Sequence, residues 1–166
     1  MDSKHLNIRI RAYQEADYKR LQAIHDPARK NELALAGLSD AFLPLSIAAT
    51  REGLFEYEVY VAEYRGIPVG FVAFTEDEIA WLYVDVDYSR KGIGKALVEF
   101  ALQKADGEVS LEVLKGNTPA IALYTACGFE ITDTLSGVMP GNEEFPVTVH
   151  VMKNRANNRS ERRRSL

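Results

Sequence analysis

Three strand-like segments follow one another closely between residues 57 and 86, and they restrict the fold more than any other feature of the chain. The segments are 57–64, 67–75 and 79–86, with Arg65-Gly66 and the acidic turn 76–78 between them. Connections this short join antiparallel neighbours. The sequence therefore predicts an antiparallel meander.

The periodicity changes directly after the third strand. Ile93, Leu97, Phe100 and Ala101 form one apolar stripe at helical spacing, and a further strand is predicted at 109–114. A helix that crosses between two strands in this way makes them a parallel pair. One parallel pair is therefore expected in an otherwise antiparallel sheet.

The remaining segments complete an α+β (mixed α/β) fold with about four helices. They are a strand at 6–11, a helix over about 14–30 that Pro27 disturbs near its end, a helix at 39–52, a helix at 117–126, and a hairpin of strands 129–135 and 147–152. The 166 residues fit one domain, 1–154, and a basic tail, 155–166, that we expect to be disordered.

Composition and charge exclude several functional classes. No apolar run approaches the ~20 residues that span a bilayer. The net charge is −4, but the tail holds five Arg and one Glu, so the rest of the chain carries −8 and repels nucleic acid. A single Cys127 and three separated histidines argue against a disulfide and a metal site. Because the N-terminus lacks the layout of a signal peptide, the expected location is the cytoplasm.

The most informative stretch is a glycine loop between the third strand and the following helix. Its residues are Arg90, Lys91, Gly92, Ile93, Gly94 and Lys95. Glycines let backbone N–H groups approach a ligand, and a helix N-terminus attracts anions, so the loop could bind a polyphosphate. The spacing fits neither a P-loop nor a dinucleotide fingerprint. The alternative is a tight turn with solvated lysines.

Two polar residues follow on the helix at 117–126. Asn117 and Tyr124 are seven residues apart and therefore share one helical face. A phenol beside a phosphate-binding loop could donate a proton to a leaving group, and an amide could bind an amide-bearing ligand. The alternatives are a core tyrosine and an asparagine N-cap.

The order of these elements resembles the GCN5-related N-acetyltransferase (GNAT) family over most of residues 6–153. The resemblance lies in Leu82-Tyr83-Val84, the loop Arg90–Lys95, Asn117, the run Ala120-Ile121-Ala122-Leu123-Tyr124, and Gly128-Phe129. It implies a V-shaped splay between the strands 79–86 and 109–114, with the pantetheine arm of acetyl-CoA between them and no metal. The same likeness allows a homodimer, because strand edges of this fold often pair between subunits.

The resemblance also implies roles for single residues. The pyrophosphate would bind the amides of the glycine loop, and backbone groups of Leu82 and Val84, on either side of Tyr83, would pair with pantetheine. Asn117 would contact the donor, and Tyr124 would protonate the departing thiolate. Ser89 departs from the family pattern, which usually has Gln or Arg three residues before the first glycine.

Two glutamates are candidates for the base that collects the proton of the amine. Glu112 resembles the base of members that acetylate protein N-termini, and Glu78 resembles that of histone-type members. Glu112 is favoured because it interrupts an apolar strand, whereas Glu78 belongs to an acidic turn. Either could act through a water molecule.

The function that follows is transfer of an acetyl group from acetyl-CoA to a primary amine by direct attack in a ternary complex. A peptide N-terminus, a lysine, a polyamine or an aminoglycoside would fit as acceptor. By the resemblance, 25–56 and the 135–147 turn line the acceptor side, where Phe42, Phe55, Tyr57 and Tyr83 either wall the pocket or pack in the core. The alternatives are a non-catalytic acyl-CoA sensor, or the same enzyme with another acyl-CoA.

Overall fold

The computed structural model describes residues 6–155, so the basic tail beyond Arg155 lies outside the described residues. The strands are β1 (Arg9–Ala12), β2 (Glu58–Tyr64), β3 (Ile67–Phe74), β4 (Ile79–Val84), β5 (Val109–Leu114), β6 (Glu130–Met139) and β7 (Asn142–Asn154). The helices are α1 (Tyr18–Leu35), α2 (Leu45–Arg51), α3 (Ile93–Lys104) and α4 (Thr118–Ala126). The predicted α+β class is confirmed.

The strands form two antiparallel sheets that meet at one point. The first has the order β1-β2-β3-β4 and the second has the order β5-β7-β6. Between the sheets β4 and β5 run parallel, but within residues 6–155 they are joined only by a bridge of Glu78 to Ser110 where both strands begin. Towards their C-terminal ends the two strands belong to separate sheets, so a cleft opens between them.

A bulge in β4 accounts for this divergence. Phe74 pairs with Ile79 and Ala73 pairs with Trp81, so Ala80 is an extra residue on β4. A bulge bends its strand and increases the local twist. The predicted parallel pair is therefore splayed open just beyond its only bridge.

Sheet β1-β2-β3-β4 is buried on both faces. On one face Val72 and Phe74 pack with α3 and the second sheet, and on the other Phe71 and Ala73 pack with α1 and α2. Gly70 allows α3 to approach closely, since a Cβ there would lie 3.1 Å from a methyl group of Ile93. This burial explains the almost continuous apolar run of β3.

The predicted ends of the first two helices were wrong. The first was expected to end near Lys30 because of Pro27, but α1 continues to Leu35. Pro27 has no N–H to donate to the carbonyl of Ala23, four residues earlier in the helix. Both residues are exposed, so water can donate a hydrogen bond to that carbonyl instead. The predicted helix 39–52 is a 3₁₀ turn at Ser39–Ala41 followed by the shorter α2, which begins directly after Pro44.

The final hairpin is longer than predicted. β6 and β7 pair from Glu130–Lys153 to Met139–Asn142, so the turn occupies about two residues instead of 135–147. The full length of β6 could not be predicted from apolar residues, because nine of its ten residues are exposed or half-buried.

Candidate active site

A cavity of about 420 Å³ lies in the cleft between β4 and β5. Its walls come from both strands, from α1, from the C-terminal end of α2, from α4 and from the β6–β7 turn. The polar and aromatic side chains that line it are His25, Arg29, Glu32, Arg51, Glu52, Tyr57, Glu78, Trp81, Tyr83, Ser110, Glu112 and Tyr124. The cavity thus gathers all three predicted catalytic residues.

The two candidate bases lie at the closed end of the cleft. Glu78 immediately precedes β4 and bridges to Ser110, and Glu112 lies two residues further along β5. The pKa of Glu78 is raised by burial and by the charges of Asp77 and Glu112, while its carboxylate accepts a hydrogen bond of 3.5 Å from Tyr57. A carboxylate with a raised pKa is a stronger base near neutral pH.

Tyr124 is the candidate acid and is only 9% exposed. Burial raises the pKa of its phenol above the usual range, and the charge of Glu32 raises it further. The ring also packs edge-on against Phe129 at 5.9 Å. The phenol is therefore protonated at neutral pH, as a proton donor must be.

The glycine loop lies at the open end of the cleft, between β4 and α3. Gly92 caps α3 with φ of 84°, and Arg90 also has a positive φ of 61°. The first N–H groups of a helix have no partner within the helix, so those of α3 can bind an anion. A Cβ on Gly94 would lie 3.1 Å from Leu123, which shows that the loop packs against α4 next to Tyr124.

The edge of β4 that faces the cleft is suited to an extended ligand. β4 is the last strand of its sheet, and in the described residues it is bridged to β5 only at Glu78. Leu82 and Val84 are two residues apart, so their backbone groups point to the same edge. Such an edge can hydrogen-bond the amides of a chain-like molecule.

Asn117 caps α4 and also contacts α1. Its Oδ1 accepts a hydrogen bond of 3.3 Å from the N–H of Ala120, and its Nδ2 donates to Glu32 at 3.4 Å. The alternative role of an N-cap is therefore confirmed. The side chain is 5% exposed, and it does not line the cavity.

Sequence reasoning named Tyr83 but missed Arg29 and Glu32, with which it forms a polar cluster. The Glu32 carboxylate accepts hydrogen bonds from Arg29 at 2.8 Å and from the Tyr83 hydroxyl at 3.0 Å. Burial and Glu32 raise the pKa of Tyr83 well above its usual range. The i,i+3 spacing of Arg29 and Glu32 in the sequence could have indicated their ion pair. The predicted helix ended near Lys30, however, so Glu32 was not placed on it.

The side of the cavity that the resemblance assigned to the acceptor is closed by contacts of the β6–β7 turn with α2 and with the 3₁₀ turn Ser39–Ala41. Arg51 donates to the carbonyl of Gly141 at 3.0 Å, and Asn142 donates to the carbonyl of Ala41 at 3.0 Å. Glu52 packs beside Gly141, and burial raises the pKa of its carboxyl. The resemblance predicted that both segments line this side, but the hydrogen bonds between them could not be predicted, because the partners Arg51 and Gly141 lie 90 residues apart.

His25 also lines the cavity and was not considered as a site residue. Its Nδ1 lies 2.8 Å from Asp26 Oδ1, which also accepts a hydrogen bond from the N–H of Leu45. Burial lowers the pKa of His25 in spite of that carboxylate, so its imidazole is neutral at neutral pH.

The other predicted residues divide between the cavity and the rest of the molecule. Tyr57 and Tyr83 line the cavity, whereas the ring of Phe55 packs at a tilt against Tyr13, with 5.0 Å between the ring centres, and Phe42 lies under Lys30. Cys127 is 2% exposed in the core and does not line the cavity. Among the described residues, no helix is both long and apolar enough to cross a membrane.

Comparison with known protein families identifies the family of this chain. The model of the acetyltransferase (GNAT) family matches residues 18–129, which is more than half of the chain. The chain belongs to the GNAT family. The matched region includes the glycine loop, both strands of the cleft and α4, whereas the part of the cavity wall that the β6–β7 hairpin contributes lies outside it.

Curated relatives share the central part of this GNAT domain. The chain is 42% identical over 65 residues to the peptidyl-lysine N-acetyltransferase YjaB of Salmonella typhimurium, a match that covers 39% of this chain and 44% of that protein. It is 32% identical over 114 residues to the uncharacterized N-acetyltransferase YafP of Escherichia coli, covering 64% and 72%. The chain thus spans less than half of the length of YjaB.

Solved GNAT structures share the whole fold. A GCN5-related N-acetyltransferase from Rhodopseudomonas palustris superposes with a TM-score of 0.70 at 19% identity, covering 89% of this chain and 94% of that one. The apo form of YjaB from Escherichia coli has a TM-score of 0.67 at 25% identity, covering 89% and 97%. YncA from Salmonella typhimurium, solved with acetyl-CoA, has a TM-score of 0.62 at 20% identity, covering 89% and 93%.

Proposed function

We propose that this chain transfers an acetyl group from acetyl-CoA to a primary amine by direct attack in a ternary complex. The observation that carries the proposal is the splayed cleft, which has an anion-binding loop at its open end, the buried Tyr124 in its cavity and two carboxylates at its closed end. Membership of the GNAT family and the acetyl-CoA in the YncA structure support this choice of donor.

The residues at the open end fit the donor. The N–H groups at the start of α3 would hold the pyrophosphate together with the side chains of Arg90, Lys91 and Lys95. The N-terminal end of the helix dipole and these side chains are all positive, so both attract the anion. The free edge of β4 at Leu82 and Val84 would hydrogen-bond the pantetheine amides. Ser89 weakens only a side-chain contact, because the cradle consists mainly of backbone groups. Acetyl-CoA would supply an activated acyl carbon and a thiolate leaving group.

Proton transfers follow from the positions of the titratable groups. Tyr124 would donate its proton to the leaving thiolate, since burial keeps the phenol protonated. Glu78 would accept the proton of the amine, directly or through water, because its pKa is raised and it lies in the same cavity. Glu112, which the sequence favoured, would then act mainly through its charge on Glu78.

The lining of the cavity supports a cationic acceptor. Four carboxyl groups line it, at Glu32, Glu52, Glu78 and Glu112, against two guanidinium groups at Arg29 and Arg51. An ammonium group would therefore be attracted into the cavity before it loses its proton. The relatives YjaB and YiaC are named peptidyl-lysine N-acetyltransferases. We propose a lysine side chain of a peptide as the first acceptor to test.

The first experiment separates binding from transfer. A ligand at 100 times its Kd stabilises the fold by about 2.7 kcal/mol, so saturating acetyl-CoA or CoA should raise the Tm by roughly 5–10 °C, whereas ATP and NAD should not. Transfer is then measured with an amino-blocked lysine peptide, a lysine-free peptide with a free N-terminus, spermidine and an aminoglycoside. Tyr124→Phe should keep the shift and lose about 10²–10³-fold in transfer rate.

The outcomes distinguish the proposal from its rival. Tight CoA binding without transfer to any amine would favour a non-catalytic acyl-CoA sensor, and preferred binding of succinyl-CoA would indicate another acyl group. If neither acetyl-CoA nor CoA raises the Tm, the proposal that the cleft binds this donor is refuted.

A further inference from the structure

Glu32 joins the two walls of the cleft near its open end. It belongs to α1, and its Oε1 accepts hydrogen bonds from Arg29 on the same helix and from Tyr83 on β4. Its Oε2 accepts from Asn117, which follows β5 and caps α4. One carboxylate on α1 thus joins β4 of the first sheet to the start of α4, which follows β5 of the second sheet.

We propose that Glu32 is a positioning residue for acyl transfer, which acts by fixing the Asn117 amide and the start of α4 against β4. The proposal rests on the proposed function and adds a residue that the sequence did not suggest. Glu32 does not touch the reacting atoms in this account; it orients α4, whose Tyr124 lines the cavity.

The Asn117 amide has little freedom once Glu32 holds it. Its Oδ1 is committed to the N–H of Ala120, and one hydrogen of its Nδ2 is committed to Glu32. These two contacts fix the plane of the amide and, through its cap on Ala120, the first turn of α4. Because Asn117 is 5% exposed and lies outside the cavity lining, the effect on the ligand passes through α4 and not through a direct contact, and a wall that is already ordered costs less conformational freedom on binding.

Glu32 is itself held in place. Arg29 donates to it at 2.8 Å and also to the sulfur of Met139 at 3.4 Å, so the guanidinium is fixed from two sides. The end of α1 also lies close to the loop before α4, since a Cβ on Gly116 would lie 2.8 Å from the carbonyl oxygen of Leu35. The contact between α1 and α4 is therefore tight as well as polar.

The same geometry bears on Tyr124, which lies seven residues after Asn117 on one face of α4. A start of α4 that is fixed on α1 sets the position of the phenol in the cavity. The charge of Glu32 also raises the pKa of Tyr124, in the direction that keeps the acid protonated. Because three donors occupy the carboxylate, Glu32 is poorly placed to act as the base.

A double-mutant cycle between Glu32 and Asn117 tests the proposal. Asn117→Ser keeps an N-cap oxygen and the Arg29–Glu32 pair but removes the amide donor. Glu32→Gln removes the charge and cannot accept from all three donors. Each variant should weaken acetyl-CoA binding about 3- to 10-fold and lower kcat/KM about 10- to 100-fold. The double variant should be no worse than the poorer single variant, within about 2-fold.

Two further variants separate positioning from charge and from stability. Glu32→Asp keeps the charge beside Arg29 but is too short to reach Tyr83 and Asn117 together, so it should impair transfer as Glu32→Gln does. Glu108→Gln is the matched control, because that carboxylate is half exposed and pairs only with Lys153 in the described residues. It should leave binding and transfer unchanged.

Several outcomes would overturn the proposal. Effects of Glu32→Gln and Asn117→Ser that multiply in the double variant would mean that Glu32 does not act through Asn117. A lower Tm with unchanged KM and kcat would mean a purely structural role. If Glu32→Gln does not fold, the Asn117→Ser variant decides alone. The proposal is then overturned if that variant binds acetyl-CoA and transfers acetyl groups as well as the wild type does. A wild-type chain that binds acetyl-CoA but transfers to no amine refutes the proposed function, while the binding cycle still decides the role of Glu32.

Discussion

Glu78, which directly precedes β4, and Glu112 on β5 lie at the closed end of the cleft, and this arrangement supports the different roles that we propose for them. Burial and two neighbouring charges raise the pKa of Glu78, and one of those charges belongs to Glu112. A base must be deprotonated to act, so the rate should increase with pH through the pKa of Glu78. The group with the perturbed pKa is the better candidate for the base, and its neighbour tunes it.

Exchange of each glutamate for glutamine should separate the two roles. Glu78→Gln should lower kcat/KM by about 10²–10⁴-fold and remove the acid limb of the pH–rate profile. Glu112→Gln should keep most of the rate and move that limb to lower pH, because the charge that raises the pKa of Glu78 is lost. The groups that face Glu78 are Asp77, Tyr57 and Glu112, so Asp77→Asn should move the limb in the same direction.

The measurement is kcat/KM from pH 5 to pH 9 with one acceptor. The acceptor amine contributes its own limb at higher pH, which should be identical in all variants and serves as an internal control. The opposite pattern, in which Glu112→Gln abolishes the acid limb and Glu78→Gln only shifts it, would make Glu112 the base.

Asn117 illustrates how far single residues can be interpreted from sequence. Its position at the start of a helix suggested both an N-cap and a donor contact, and the structure confirms the cap. The partner of its amide nitrogen could not be predicted, because Glu32 is 85 residues away in the chain. Glu32 itself lay beyond the predicted end of its helix.

At the level of elements, the sequence predicted best where apolar periodicity was strong. β2, β5 and α4 begin and end within one or two residues of the prediction, and the apolar stripe predicted from Ile93 to Ala101 lies within α3. α1 was cut short because Pro27 was expected to end it, although an exposed proline can be tolerated. β6 was cut short because an exposed edge strand has no apolar alternation. The cleft depends on the bulge at Ala80, for which the sequence has no signal.

The start of α3 offers a prediction that separates ligand binding from backbone strain. Gly92 has φ of 84° and Gly66, in the β2–β3 turn, has φ of 81°, so alanine should be strained to a similar degree at both positions. Each substitution should destabilise the fold by about 1 kcal/mol. Only Gly92→Ala should also weaken acetyl-CoA binding, by about 10-fold, because it disturbs the N–H groups that face the pyrophosphate.

Isothermal titration with acetyl-CoA and urea unfolding measure both effects on the same samples. Equal affinity in the two variants would mean that the loop does not hold the donor. Weaker binding in Gly66→Ala as well would mean that general destabilisation, rather than the loop, limits affinity.

On the scale of the whole molecule, the two sheets share one core, whereas the cleft between them carries the site. α3 packs against the first sheet, and its core cluster continues through Leu111 and Val113 of β5 to Met152 of β7. The cleft can therefore stay open without loss of the core that holds its walls. The side that the resemblance assigned to the acceptor depends on contacts between segments far apart in the chain, which is why the sequence predicted these segments but not the hydrogen bonds that join them.

A second polar network, which connects α1 to the first sheet, lies at the sheet edge opposite to β4. Arg11 on β1 donates to both oxygens of Asp17, at 2.8 and 2.9 Å, and to Glu63 on β2 at 2.7 Å. Asp17 directly precedes α1 and also accepts a hydrogen bond from the N–H of Gln14. The network ties the start of α1 to two strands, and Asp17 is only 6% exposed.

This network should make stability depend on pH. Hydrogen bonds from Arg11 lower the pKa of Asp17, so the folded state binds its proton less readily than the unfolded state. The stabilisation is therefore present above the ordinary aspartate pKa of about 4 and is lost as the pH falls through the lower folded value. Asp17→Asn should reduce the free energy of unfolding by about 1–3 kcal/mol at pH 7, and the difference from wild type should shrink in acid.

Urea unfolding at pH 7 and at decreasing pH below 4 tests this, with Asp133→Asn as the control, since Asp133 is exposed on β6. The control should follow the wild-type profile throughout. A difference between Asp17→Asn and wild type that stays constant as the pH falls would mean that the aspartate stabilises the fold through shape or helix capping rather than through its charge. Because the network lies away from the cleft, Asp17→Asn should leave the affinity for acetyl-CoA unchanged wherever the protein is folded.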